Sequence, residues 1–474
     1  MAKRAHIIVI GGGFTGAALA IQLARGAVDV TVIEPRAAPG YGVAYSTTEP
    51  THRINVPADR MQLADEPAGD FDRWFRQGGG LTADPQALWR DGKVYPQRGA
   101  FGRYVEERFH QAAQSGQARL RHLRDRAQYL QPQAQGASVI TAGGERLWGD
   151  YVVLATSHPP PALPRQIAPE LARDARLIAN PWAEGALDEI EPDESLAIVG
   201  SGLTMADAVA ALHRRGHRGP ITAFSRHGLL PRANAEGEYP TWSFTPPSGL
   251  RDGVRQVRLE VARAAGQRVP WQAVLDEVRA QGQRLWQALT PTEQQRFLRH
   301  LRAYWDVHRY RIAPQVSTLL AEQQAAGTLQ VLAARLRRAE PTPQGVRLTI
   351  LPRQGAERAL QAQRLLIATG PAHAGLIAAS PLLSSLAEQG ALRADPLGLG
   401  LWVNADSQAI GGDGLANPRL LVSAEGMYYK DVDGNSILDG AAGLWCVPCG
   451  HNQPRIVAAV REMVGQLDFA PTFQ

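Results

Sequence analysis

The feature that most constrains this chain lies at its start. His6 to Ile10 is a short apolar run of strand type, and it feeds Gly11-Gly12-Gly13-Phe14-Thr15-Gly16. Ala17 to Arg25 then carries helical spacing, and a second apolar run, Val28 to Ile33, ends at Glu34. Strand, glycine turn, helix, strand and acid is the order a dinucleotide site requires. Gly11 permits the tight turn, Gly13 lets the backbone approach a pyrophosphate, and Gly16 lets the helix pack close to the strand. The helix N-terminus, with Phe14 and Thr15 in its first turn, presents N–H groups and a positive dipole end to the phosphates. Glu34 is placed to accept hydrogen bonds from ribose hydroxyls. A carboxylate there repels a 2′-phosphate, so FAD or NAD fits and NADP does not.

A second unit is tuned differently. Ser195 to Val199 is another short strand, followed by Gly200-Ser201-Gly202-Leu203-Thr204-Met205, with Met205 where a third glycine is usual. A helix continues through Leu212, and the next strand, Ile221 to Phe224, runs into Ser225-Arg226-His227 instead of an acid. A hydroxyl and a cation at that place suit the 2′-phosphate of NADPH. Gly200, Gly202, Leu203, Thr204, Ser225 and Arg226 are the expected contacts. The alternative is a structural or decayed unit in which Arg226 is one arginine among many. Tyr151 to Thr156 and Arg364 to Gly370 look like buried returning strands. The second ends in Ala368-Thr369-Gly370, a segment that marks passage between domains in two-dinucleotide flavoproteins; at the first, Ser157 replaces the usual glycine.

Composition excludes several classes. A chain of 474 residues is too long for one core, and 44% hydrophobic with 20% charged residues rules out a mostly disordered chain. Two cysteines rule out a disulfide framework and fit a reducing cytosol. The net charge of +5 is carried almost wholly by scattered arginines interleaved with acids, with lysine only at Lys3, Lys93 and Lys430, which argues against nucleic acid. The uncharged run Ile7 to Ala24 behind Lys3 and Arg4 mimics a signal peptide, but Gly11, Gly12, Gly13 and Gly16 break it. No stretch is apolar enough to span a membrane. A cytoplasmic location is expected. No G-x-S-x-G or G-K-S/T motif is present, and Cys446-Val447-Pro448-Cys449 with His451 lacks the further ligand a metal site needs.

The expected fold is α/β, with two Rossmann-like dinucleotide-binding domains and a helical insertion. A discontinuous FAD domain would take 1–165 and 355–418, and an NAD(P)-like domain 166–354, helical over about 250–327. Thr290-Pro291-Thr292-Glu293 is a capping box with proline at the first helical position, while Pro270 and Pro314 open neighbouring helices. Val346 to Leu351 alternates like a strand. Phe297 to Arg311 is dense in aromatic and basic groups: either a cap meeting an anionic or planar substrate, or a solvated helix with Trp305 in the core.

Residues from about 1 to 418 resemble the FAD/NAD(P)-binding family that includes FAD-dependent urate hydroxylase-like proteins. The likeness rests on the Gly11–Gly16 turn, Gly42-Val43-Ala44-Tyr45-Ser46-Thr47, Arg53-Ile54-Asn55-Val56-Pro57, Phe101-Gly102-Arg103-Tyr104, the Gly200–Met205 turn and Trp305-Asp306-Val307-His308-Arg309. The resemblance implies a monooxygenase in which NAD(P)H reduces FAD and dioxygen then hydroxylates a small-molecule substrate. Segment 52–57 would face the isoalloxazine ring, and Arg53, Asn55 and His308 would stabilise the reduced flavin or position substrate. From about Leu420 the chain instead resembles the N-terminal part of class III aminotransferases, the β-alanine:pyruvate type. Their pyridoxal-binding lysine lies far downstream and is missing, and Lys430 sits in an expected surface turn, so transamination is rejected. The tail, 419–474, stands where the flavin family closes over the ring, and it is expected to lie loosely, with proteases cutting first near Ala416 to Glu425. The competing reading is a non-catalytic dinucleotide-binding protein or inactive fusion product.

Overall fold

The computed structural model describes residues 4–63, 66–404 and 406–422, together with the short strands Tyr428–Lys430 and Ser436–Leu438. The opening residues build β1 (His6–Ile10), α1 (Phe14–Leu23) and β2 (Asp29–Ile33). Ile7, Ile8 and Val9 are wholly buried, Ile7 and Val9 on the face covered by α1 and Ile8 on the face covered by the strands Ala127–Gln133 and Gly136–Thr141. β1 pairs in parallel with β2 on one side and with Tyr151–Leu154 on the other. β3 (Arg119–Leu123) extends the sheet beyond β2, and Ala416–Val422 and Gln408–Ile410 extend it past Tyr151–Leu154.

The second sheet has seven strands. Leu196–Val199 lies between Ile221–Ser225 and Arg364–Ile367, parallel to both. Beyond Ile221–Ser225 come Leu329–Thr342, Gly345–Pro352 and Arg358–Ala362, the last two pairings antiparallel. The two-unit α/β architecture is therefore the observed fold. Apolar side chains of both units, from Ile7 and Phe101 to Leu196 and Met205, join one core cluster. Met205, in place of the third glycine, is completely buried in it.

The insertion is helical as expected: Leu250–Gly266, Trp271–Ala280, Gly282–Ala288, Pro291–His300 and Arg302–Arg309, then Pro314–Ala325. The capping box forms, with Thr290 Oγ1 accepting from the Glu293 amide and Glu293 Oε2 from the Thr290 amide. Among the described residues no helix is long and apolar enough to cross a membrane, and no group of three or more His, Cys, Asp or Glu side chains stands ready for a metal.

Three expectations need correction. Arg358–Ala362 and Arg364–Ile367 belong to the second sheet, so the return to the first sheet falls after Ile367 and not at 355. A short hairpin keeps consecutive antiparallel strands side by side, which holds Arg358–Ala362 next to Gly345–Pro352. Ala416–Val422 is not a loose junction: Leu420, Leu421 and Val422 pair in parallel with Val152, Val153 and Leu154 and are buried. Lys430 stands in a strand, its backbone paired with Ser436, and not in a turn. Met427, Leu444, Trp445, Cys446, Cys449 and His451 lie outside the described residues.

Candidate functional site: two glycine turns and the seam between them

The first turn is built by close backbone approach. Gly11, at φ +105°, would drive a Cβ to 2.1 Å from the Ala155 carbonyl oxygen, and Gly16 would drive one to 1.9 Å from that of Gly11. Gly13 caps α1 without any side-chain hydrogen bond, and its missing Cβ faces the Cα of Gly42 at 3.3 Å. Phe14 sends its ring into the core beside Tyr45 and Phe101, which leaves its backbone and that of Thr15 at the helix start. Glu34 closes the turn: Oε2 accepts from the Gly12 amide at 2.9 Å, and Oε1 accepts from the Arg36 amide and guanidinium at 3.0 Å each. A carboxylate offers about four acceptor sites, so capacity remains for a ribose hydroxyl.

The second turn repeats this geometry. Gly200, at φ +114°, would place a Cβ 2.2 Å from the Ala368 carbonyl oxygen, the counterpart of Gly11 against Ala155. Thr369 and Gly370 thus belong beside the second turn, following the strand that flanks it. Gly202 caps Leu203–Arg214, and a Cβ there would meet nothing within 4 Å. Leu203 is half-buried and Thr204 buried, its hydroxyl 3.5 Å from Trp182 Nε1. Ser225 Oγ accepts from the Gly228 amide and lies 2.8 Å from Ser201 Oγ. Arg226 is exposed. Burial, then the charges of Arg226, Arg353 and Arg335, push the neighbouring His227 imidazole below its usual range. Ser225 pairs with Ala333, and the Arg353 amide donates to the Ala333 carbonyl, so Arg335 and Arg353 stand near the end of Ile221–Ser225, where the other unit has Glu34. Arg335 and Arg353 were not legible in the sequence, because they reach this point by strand pairing.

The chain leaves the first sheet near Ala155 and re-enters it after Ile367. The two crossings touch through His158 and His373, with rings edge to face at 5.4 Å. Burial, then His373, push His158 down to about 3, and burial, then Arg302, lower His373 as well.

The three residues proposed from the sequence for catalysis each have their own partners. Arg53 is buried and committed: its guanidinium donates to both carboxylate oxygens of Asp84, at 2.9 and 3.0 Å, and to the Tyr95 carbonyl at 2.8 Å. Asp84 and Tyr95 take three of its five N–H donors. Asn55 is 4% exposed, its carbonyl accepts from Asn234 Nδ2, and its own Nδ2 makes no hydrogen bond among the described residues. His308 sits on the insertion, 2.7 Å from the Tyr304 carbonyl through Nδ1, with its ring against Trp271. On the other side of Arg53 in the chain, His52 Nδ1 lies 2.8 Å from Thr47 Oγ1. A buried donor without a partner costs about 1–3 kcal/mol.

Comparison with known proteins agrees with this geometry. Residues 8–159 match the FAD-NAD(P)-binding family, and residues 413–472 match the class-III aminotransferases. The N-terminal region is thus of the FAD-NAD(P)-binding family, and the C-terminal segment resembles class-III aminotransferases. The omega-aminotransferase of Caulobacter vibrioides is 42% identical over 57 residues, and the beta-alanine–pyruvate aminotransferase of Pseudomonas aeruginosa 40% over 58 residues. Each alignment covers 12% of this chain, and the chain spans only 13% of the length of either relative. The fold is similar to that of the ornithine hydroxylase from Pseudomonas aeruginosa in its reduced form, at TM-score 0.59, 17% identity, and 98% and 99% coverage of the two chains. L-lysine 6-monooxygenase from Pseudomonas syringae matches at TM-score 0.59, 19% identity and the same coverages. The ornithine N-hydroxylase from Kutzneria sp. 744, solved with reduced FAD, NADP+ and L-ornithine, matches at TM-score 0.59 and 15% identity, over 98% and 100%. At such identities the likeness is one of fold.

Proposed function

We propose that the chain is an FAD-dependent, NADPH-using oxidoreductase, a monooxygenase acting on a small molecule. The observation that carries this reading is the pair of glycine turns of matching geometry and opposite charge, Glu34 closing one and Arg226, Arg335 and Arg353 standing near the strand end beside the other. The residues present fit both dinucleotides. The capless start of α1 at Gly13 suits a pyrophosphate, Glu34 suits the ribose of FAD, and the arginine cluster suits a 2′-phosphate.

A bound FAD would supply hydride acceptance from NADPH and the reaction with dioxygen. The chain's own residues have narrower tasks. Asn55 Nδ2 is a buried donor for the ring system or for substrate, and Asp84 holds Arg53 so that the segment between them keeps its place. His308 and Trp271 belong to the wall that the insertion adds. Ornithine and lysine, acted on by proteins of this fold, are the first substrates to try.

Purified protein is expected to be yellow and to bleach under anaerobic NADPH. A colourless protein that takes up no added FAD would favour the non-catalytic reading instead. For the nicotinamide site, Arg226→Glu is expected to weaken NADPH by roughly 10- to 100-fold, the equivalent of about 1.5–3 kcal/mol for hydrogen bonds to a charged group. NADH should be spared, since it has no phosphate to repel. Equal losses for both, read from the concentration dependence of anaerobic bleaching, would remove Arg226 from the site.

A further inference from the structure

The seam between the two nucleotide-binding units holds a buried ion pair that neither glycine turn requires. Arg98 opens the helix Arg98–Ser115 of the first unit, and Asp207 lies in Leu203–Arg214, just past the second turn. Both guanidinium Nη atoms donate to the Asp207 carboxylate at 3.0 Å, and the two side chains are 4% and 7% exposed. The same guanidinium donates through Nε to the Arg53 carbonyl at 2.8 Å, and the Arg98 amide donates to the His52 carbonyl at 2.8 Å. The Ile54 amide donates to Pro96, so the His52–Ile54 backbone is laced to Pro96–Arg98. Trp182 seals the cluster, with Arg98 over its ring at 5.2 Å, His52 against it at 5.1 Å and its Nε1 toward Thr204.

Stability alone does not explain this arrangement. Desolvating an arginine and an aspartate costs several kcal/mol each, and apolar packing of similar volume often serves a core as well or better. What an apolar contact does not supply is direction. A two-pronged guanidinium–carboxylate pair fixes one orientation, and here a third donor of the same group holds the backbone beside His52 and Asn55.

Resting on the two-dinucleotide reading above, we propose that Arg98 and Asp207 are positioning residues that couple the nicotinamide nucleotide at the second turn to the His52–Asn55 segment at the flavin side. A nucleotide settling on Gly200–Thr204 fixes the helix that carries Asp207, and Arg98 passes the constraint to the Arg53 carbonyl.

Amide hydrogen exchange on the full chain, with and without NADP+, tests this without any turnover. In the wild type, NADP+ is expected to slow exchange at Ile54 and Arg98 by at least about fivefold, the lower end of ordinary site-to-site coupling. Asp207→Asn should still bind NADP+ by calorimetry yet lose that response. Should Asp207→Asn not melt cooperatively, Arg98→Lys carries the same test, because an ammonium reaches the carboxylate or the carbonyl but does not bridge both. A merely structural pair would speed both amides in the variant and leave the NADP+ response intact, and that result overturns the proposal. Wild-type protein that binds NADP+ with both amides unmoved also overturns it, alone. Wild-type protein that binds no NADP+ overturns the reading of the second turn, and the coupling with it.

Discussion

Gly13→Val is expected to give a folded but colourless protein. The substituted Cβ lies in ordinary space except for Gly42, whose Cα is 3.3 Å away, so the fold can absorb it by a small shift. The valine methyls, however, project over the uncapped start of α1, where a pyrophosphate must touch backbone. Flavin content should fall at least about tenfold, which needs only about 1.4 kcal/mol of lost binding. The measurement is the flavin-to-protein absorbance ratio after purification, with circular dichroism as the control for folding. An unchanged ratio would remove the first turn from the flavin site.

Asp84→Ala is expected to produce the largest loss of stability. Arg53, 5% exposed, would keep the Tyr95 carbonyl as an acceptor but lose its counter-charge, and an uncompensated buried charge of this kind costs about 3–5 kcal/mol. Asp84→Asn keeps an acceptor and should lose less. Urea unfolding curves read the difference through their midpoints at constant slope. If both variants unfold with the wild type, the pair contributes nothing to stability.

These two sites mark what sequence reasoning could and could not reach. The glycine turns were legible because their demands are local: Gly11 and Gly16 are required by atoms of the same short unit or its flanking strand, and that need leaves a fixed spacing. Glu34 and Ser225-Arg226-His227 were legible because a strand end has a known place beside such a turn. Asp84, Arg98 and Asp207 were not, since an ion pair between residues 31 or 109 apart has no spacing rule. Gly102 shows an intermediate case. It was singled out within Phe101-Gly102-Arg103-Tyr104, and the structure supplies the reason, for a Cβ there would stand 2.4 Å from the Tyr41 ring.

The misread junction is of another kind. The tail from residue 419 was set apart because its sequence resembles aminotransferases, whose match begins at residue 413, and that boundary cuts the strand Ala416–Val422 in two. Yet a β-ladder is written in peptide groups, which every residue but proline presents alike, and only Leu420, Leu421 and Val422 need apolar side chains to meet the core. A strand is therefore an interchangeable part in a way that a glycine turn is not. Two unrelated genes joined within a strand preserve the sheet so long as the donor happens to be apolar over three residues. Ancestry and architecture then part company inside a single secondary-structure element, and a boundary drawn from kinship falls where the folded molecule has no boundary at all.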